Sequence, residues 1–164
     1  MTNGEAITLR VARASDADGV TGLMAVLGYS IDRDSAAARL SRLLDRPDDL
    51  LLIASAGQHP VGFLHVTIWE FIESDACAVV AALVVAKSAR QRGIGRELMG
   101  RAEDWAREHH CQVIRLWSSE ARAGAHEFYE RLGYRKIKTH FAFAKALNAD
   151  ADDDLKALVP RIEN

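Results

Sequence analysis

The chain has 164 residues, 49% of them hydrophobic, which is enough for one well-packed domain and too little for two large ones. With 21 basic and 23 acidic residues its formal charge is −2, so composition supplies no broadly basic surface for a nucleic-acid backbone. The opening MTNGEAITLR lacks the charged lead, apolar core and cleavage site of a secretory signal, and no apolar run is long enough to span a bilayer, so the expectation is a soluble cytoplasmic protein with no nucleic-acid or membrane partner.

In chain order, ITLRVA (7–12) alternates as a strand does. Ser15 followed by Asp18 has capping-box spacing, and Val20, Leu23, Met24 and Leu27 then share one helical face. GYSID (28–32) breaks that helix. Asp34 or Ser35 can cap a second one, carrying Leu40, Leu43 and Leu44 and ended by Pro47, Asp48 and Asp49. LLLIASA (50–56) and VGFLHVTIW (61–69) flank GQHP and read as a hairpin, and a third strand follows over 77–86. GRELMGRAEDWAREHH (95–110) spaces Leu98, Ala102 and Trp105 as an amphipathic helix. CQVIRLWS is a short buried strand, AGAHEFYERLG a helix ending at Gly133, and YRKIKTHFAFAK (134–145) a final strand. The tail, 146–164, packs four aspartates into five positions and reads as a mobile or partner-dependent appendix. No repeat or interdomain linker interrupts the chain, so 1–164 is expected to be a single domain with its core at about 7–145.

Cys77 and Cys111 have neither a pairing nor a metal-ligand spacing and read as small buried hydrophobes. Of the six histidines only His109 and His110 adjoin, and neighbours on a helix point apart, so no metal is expected.

The joint RQRGIG (90–95), between the apolar run AVVAALVVA and the helix, carries the chemistry. A strand feeding through a glycine-bearing loop into a helix presents free backbone N–H groups at the helix start, where phosphate is attracted. Gly93 and Gly95 allow close backbone approach, and Arg90, Arg92 and Arg96 add charge. Neither G-x-x-x-x-G-K-[ST] nor a full G-x-G-x-x-G with a downstream acid is present. RQRGIG instead resembles the R/Q-x-x-G-x-G/A signature of the GNAT superfamily of N-acetyltransferases, with Arg90, Gly93 and Gly95 at its defining positions; AHEFYERLGY (125–134) resembles that family's late helix.

The resemblance implies an α/β fold with a central, mostly antiparallel mixed sheet flanked by helices, and acetyl-coenzyme A as cosubstrate. It implies a pyrophosphate loop formed by Arg90, Gln91, Arg92, Gly93, Ile94, Gly95 and Arg96. The strand ending at Leu83, Val84 and Val85 would splay from its neighbour, freeing backbone groups for the pantetheine arm. An N–H near Val84 would polarise the thioester carbonyl. Tyr129 would be the general acid for the departing thiolate; its place in the stripe Ala125, Phe128, Tyr129, Leu132 is equally that of a packing residue.

Two departures from the family pattern matter. Ala81 and Ala82 stand where many members carry a strand glutamate, which leaves the base unassigned among Glu70, Glu73, Glu120, His65 and His126. Arg122 replaces the asparagine that many members place seven residues before the tyrosine. For the acceptor, Tyr29, Trp69, Glu70 and Glu73 would form an aromatic, acidic cleft suited to a small cationic amine. The expected activity is acetyl transfer to a primary amine of a small molecule. A protein N-terminal or lysine acetyltransferase, or a noncatalytic acyl-coenzyme A-binding module, stays open, and a homodimer is compatible with these features.

Overall fold

The computed structural model describes residues 5–148 and 151–158. In chain order the elements are β1 (Ile7–Val11), a 3-10 turn (Ala14–Asp16), α1 (Ala17–Val26), α2 (Arg33–Leu44), β2 (Asp49–Ala56), β3 (His59–Trp69), β4 (Cys77–Val85), a second 3-10 turn (Lys87–Ala89), α3 (Ile94–Glu108), β5 (Ile114–Leu116), α4 (Ala123–Arg131) and the short α5 (Asp152–Ala157). The five strands form one sheet in sequential order; β1 to β4 are antiparallel and β5 joins β4 in parallel. The fold is thus the expected mixed sheet flanked by helices.

Period-two alternation divides the core between the two sheet faces. Leu52, Ala54, Leu64, Val66, Ala78 and Val80 pack under Ile94, Leu98, Met99, Ala102 and Ala106 of α3. On the other face Leu51, Ile53, Phe63 and Val84 meet Ala17, Val20 and Leu23 of α1 and Ala36 and Leu40 of α2. Because both faces are covered, β2 is buried without interruption from Leu51 to Ala56, which is why LLLIASA lacks visible alternation. Cys77 and Cys111 are free and buried, and burial raises the Cys111 thiol pKa.

Both helix starts differ from the expected ones. α2 is capped by Asp32, whose Oδ1 accepts the Ser35 N–H at 2.9 Å; Asp34 and Ser35 already lie inside the helix. Ahead of α1 the anchor is Asp16, 8% exposed, and not Ser15 with Asp18. Its carboxylate accepts from the Arg13 N–H at 2.7 Å and from Nη1 and Nη2 of Arg10 at 2.8 and 2.7 Å. These contacts, the Arg10 hydrogen bond first, hold the Asp16 carboxyl below its ordinary range although burial pushes the other way. A depressed carboxyl contributes stability that is fully present above its unfolded value, about 3.9, and is lost as pH falls through the folded value. On acidification from about pH 6 to about pH 2, Asp16→Asn should therefore lose less melting temperature than the parent. Parallel melting curves across that range would remove Asp16 from the acid response.

The expected final strand is absent. Residues 134–148 form no strand, and Ile137, Phe141 and Phe143 are 76%, 86% and 94% exposed. The segment has strand alternation, but β5 supplies only three residues of ladder and gives those to β4; alternation without a hydrogen-bonding partner leaves an extended chain. Within the acidic tail, residues 152–157 are helical, and residues 149–150 and 159–164 lie outside the described residues.

Candidate functional site

The site begins where β4 leaves β5. Pairing between them covers Ala78↔Ile114, Val79↔Arg115 and Val80↔Leu116 and then stops. On the other side of β4 the β3 register shifts at the same point: His65 pairs with Ala82 and Val66 with Val80, so Ala81 is the extra residue of a bulge. A bulge bends and twists its strand, and here β4 turns away from β5. Residues 81–85 consequently face a cleft instead of a neighbouring strand, with backbone groups on that edge that no ladder satisfies.

The cleft has a volume of about 1500 Å³. Leu83, Val84, Val85, Arg90, Gln91, Gly93, Ile94, Gly95 and Arg96 all line it, as does Tyr129. Arg92 does not; its Nη2 donates to the Glu5 carbonyl at 2.9 Å and ties the loop to the chain before β1. Arg90 Nε donates to the Val85 carbonyl at 3.3 Å, joining the loop to the end of β4.

The two loop glycines serve different ends. Gly93 is the N-cap of α3 with φ +79°, and a Cβ there would meet nothing within 4 Å. Its backbone needs the left-handed region, and the space beside it is open to a ligand. Gly95 instead makes room inside the protein, since a Cβ there would lie 3.1 Å from Phe128 Cζ, and its absence lets α4 close against α3. The Glu97 N–H donates to the Gly93 carbonyl at 3.0 Å and closes the first helical turn, leaving the earlier N–H groups without intrahelical partners at the positive end of the α3 dipole.

Charge in the cleft is one-sided. Lys87, Arg90, Arg96, Arg122 and Arg131 line it, and no Asp, Glu or His does among the described residues. Arg122, at the N-cap of α4, donates from Nη2 to the Leu27 carbonyl at 2.8 Å and so joins the end of α1 to the start of α4. Tyr129 packs edge-on against Phe128 and Tyr134, with centroids 5.1 and 5.9 Å away. Burial raises its phenol pKa, opposed in part by the Arg122 charge. Tyr134, which donates to Glu103 Oε1 at 3.0 Å, is also raised, by burial first and then by the Glu103 charge.

None of the five residues considered as a base lines this cleft. Glu70, Glu73 and Glu120 are exposed. His65 Nε2 lies 2.8 Å from Asp49 Oδ1, and His126 Nε2 donates to the Ser119 carbonyl at 2.9 Å. Of the expected aromatic, acidic acceptor wall, only Tyr29 lines the cleft. Gly28 and Ser30, beside Tyr29 in GYSID, line it too, whereas sequence reasoning missed Trp117 and the α1 end from Met24 to Leu27. Trp117 follows Arg115 and Leu116 directly, and a charged residue inside a half-buried three-residue strand was the signal available.

The sequence profile of the acetyltransferase (GNAT) family matches residues 24–134. An aminoalkylphosphonate N-acetyltransferase of Salmonella typhimurium is 32% identical over 145 residues, 85% of this chain and 90% of that protein. An uncharacterized N-acetyltransferase of Methanocaldococcus jannaschii is 31% identical over 96 residues, and that match spans 57% of this chain but only 42% of that protein. Among solved structures, an aminoglycoside N-acetyltransferase in complex with CoA superposes with a TM-score of 0.77 at 19% identity, covering 88% of this chain and 98% of its own.

Proposed function

The chain belongs to the GNAT acetyltransferase family, and from that premise we propose that it transfers an acetyl group from acetyl-coenzyme A to a primary amine of a small molecule. The observation that carries this reading is the cationic cleft itself, bounded by the unpaired edge of β4, the Gly93 turn and the α3 N-terminus, with Tyr129 in the same wall. Acetyl-coenzyme A, when bound, supplies an activated acetyl group as a thioester. Arg90, Gln91 and Gly93 to Arg96 hold its diphosphate through backbone N–H groups and guanidinium charge. The free edge of β4 from Ala81 to Val85 pairs with the amides of an extended ligand as a missing strand would.

Tyr129 gives its proton to the departing sulfur. A phenol raised by burial stays protonated at neutral pH and reaches the end of the reaction ready to donate. With no carboxylate or histidine lining the cleft among the described residues, the proton of the attacking amine is assigned to water. Two acetyltransferases similar in sequence or fold carry small amine acceptors in their names, an aminoalkylphosphonate in one and an aminoglycoside in the other, which supports a small-molecule acceptor.

Acetyl-coenzyme A at about 100 times its Kd should stabilise the protein by about 2.7 kcal/mol, a rise in Tm of about 5–10 °C for a chain of this size. NAD, which also carries a diphosphate but no pantetheine, should give far less. Equal stabilisation by both would defeat the assignment of the β4 edge. Stabilisation without thiol release on any of a broad panel of amines would leave a binding module in place of an enzyme.

A further inference from the structure

Arg115 has no role in the chemistry described above. It sits in β5 at the register of Val79, one pair before the strands part. Ile114 and Leu116 pack on the α3 side of the sheet, so alternation places Arg115 on the opposite face. Its guanidinium carbon lies 4.6 Å from the Phe71 ring centroid and 5.4 Å from that of Trp117. Trp117 lines the cleft and Arg115 does not; Arg115 reaches the cleft wall through its contact with Trp117, which stands 5.3 Å from Trp69. Arg115 Nε is buried with no hydrogen-bond partner, and Arg115 makes no ion pair among the described residues. Glu70 and Glu73, in the loop that carries Phe71, are exposed and leave this guanidinium unpaired.

We propose that Arg115, held between Phe71 and Trp117, binds an anionic group on the amine acceptor, so that the substrates are small primary amines bearing a carboxylate, phosphate or phosphonate. The inference rests on the acetyltransferase reading and names its substrate class. Aromatic faces hold a guanidinium flat while leaving its N–H fork available, and that fork matches the paired oxygens of a carboxylate or a tetrahedral oxyanion. A buried guanidinium nitrogen without a partner is unfavourable until an acceptor atom reaches it. The position agrees: Arg115 lies one residue from the point where β4 and β5 separate, so an acceptor spanning that point brings its amine to the β4 edge and its anion to β5.

The test compares β-alanine, O-phosphoethanolamine and β-alaninamide as acceptors, in the parent and in Arg115→Met and Arg115→Lys, by thiol release at saturating acetyl-coenzyme A. The two anionic amines should exceed the uncharged amide in kcat/KM by roughly tenfold to a hundredfold, the usual range for a charge-assisted contact. β-Alanine against O-phosphoethanolamine shows whether the planar or the tetrahedral anion is preferred. Arg115→Met should erase the preference through KM of the anionic amines, since the contact is made equally before and during reaction, and Arg115→Lys should restore part of it. A second readout needs no turnover: with coenzyme A saturating, O-phosphoethanolamine should change tryptophan emission saturably in the parent and not in folded Arg115→Met. An amide used as well as the anionic amines, or a preference that survives Arg115→Met, overturns the anion site while leaving the acetyltransferase reading intact. Saturable binding at Arg115 with no turnover of any amine would instead overturn that reading and the substrate role with it.

Discussion

Tyr129→Phe is expected to lower kcat by roughly 10²–10⁴-fold, the range for a positioned proton donor, while coenzyme A affinity changes little. The substitution deletes one hydroxyl and keeps the ring that packs on Phe128 and Tyr134. Burial keeps the phenol protonated, so the parent should show no loss of acid function across neutral pH. A merely structural tyrosine predicts a different pattern, with turnover near the parent value. The deciding measurement is kcat by thiol release at saturating substrates, with folding checked by thermal melt. A well-folded variant with near-parental kcat, under conditions where chemistry is rate-limiting, would assign the proton to water.

Gly93→Glu should abolish coenzyme A binding, weakening it by roughly a hundredfold or more through the loss of charge-assisted contacts and the arrival of a like charge. Two effects act at this position and can be separated. The backbone is left-handed at φ +79°, which costs a side-chain-bearing residue roughly 1–2 kcal/mol. The space beside it is open, so any further loss is exclusion of ligand and not internal crowding. Gly93→Asn is the control, because asparagine adopts the left-handed region readily and carries no charge. The asparagine variant should keep most of the affinity at similar stability. If a folded Gly93→Glu binds coenzyme A as tightly as the parent, the diphosphate is held elsewhere.

Much of this protein was legible in its residues. The helix over 94–108, the hairpin, the helix ending at Gly133 and the loop over 90–96 all follow from signals that act over a few residues: apolar period, turn glycines and a cap at a strand–helix joint. Nine of the ten residues expected at the cosubstrate share one cleft with Tyr129 for the same reason, since they are contiguous in the chain or tied to it by one helix face. What the tertiary structure alone decided depends on partners distant in sequence. Arg92 looks like its neighbours but is claimed by Glu5, 87 positions away. Asp16 and Asp32 outcompete nearby candidates as helix anchors because of where Arg10 and the Ser35 N–H lie. Residues 134–145 have the alternation of a strand yet form none, because a strand is a property of a ladder and β5 offers them no ladder. Trp117 reaches the cleft because β4 and β5 part just past the Val80↔Leu116 pair, where β4 bulges at Ala81. Local pattern sets an element because its cause is local; register, strand separation and the ownership of a charge are set by contacts that exist only once the chain has folded.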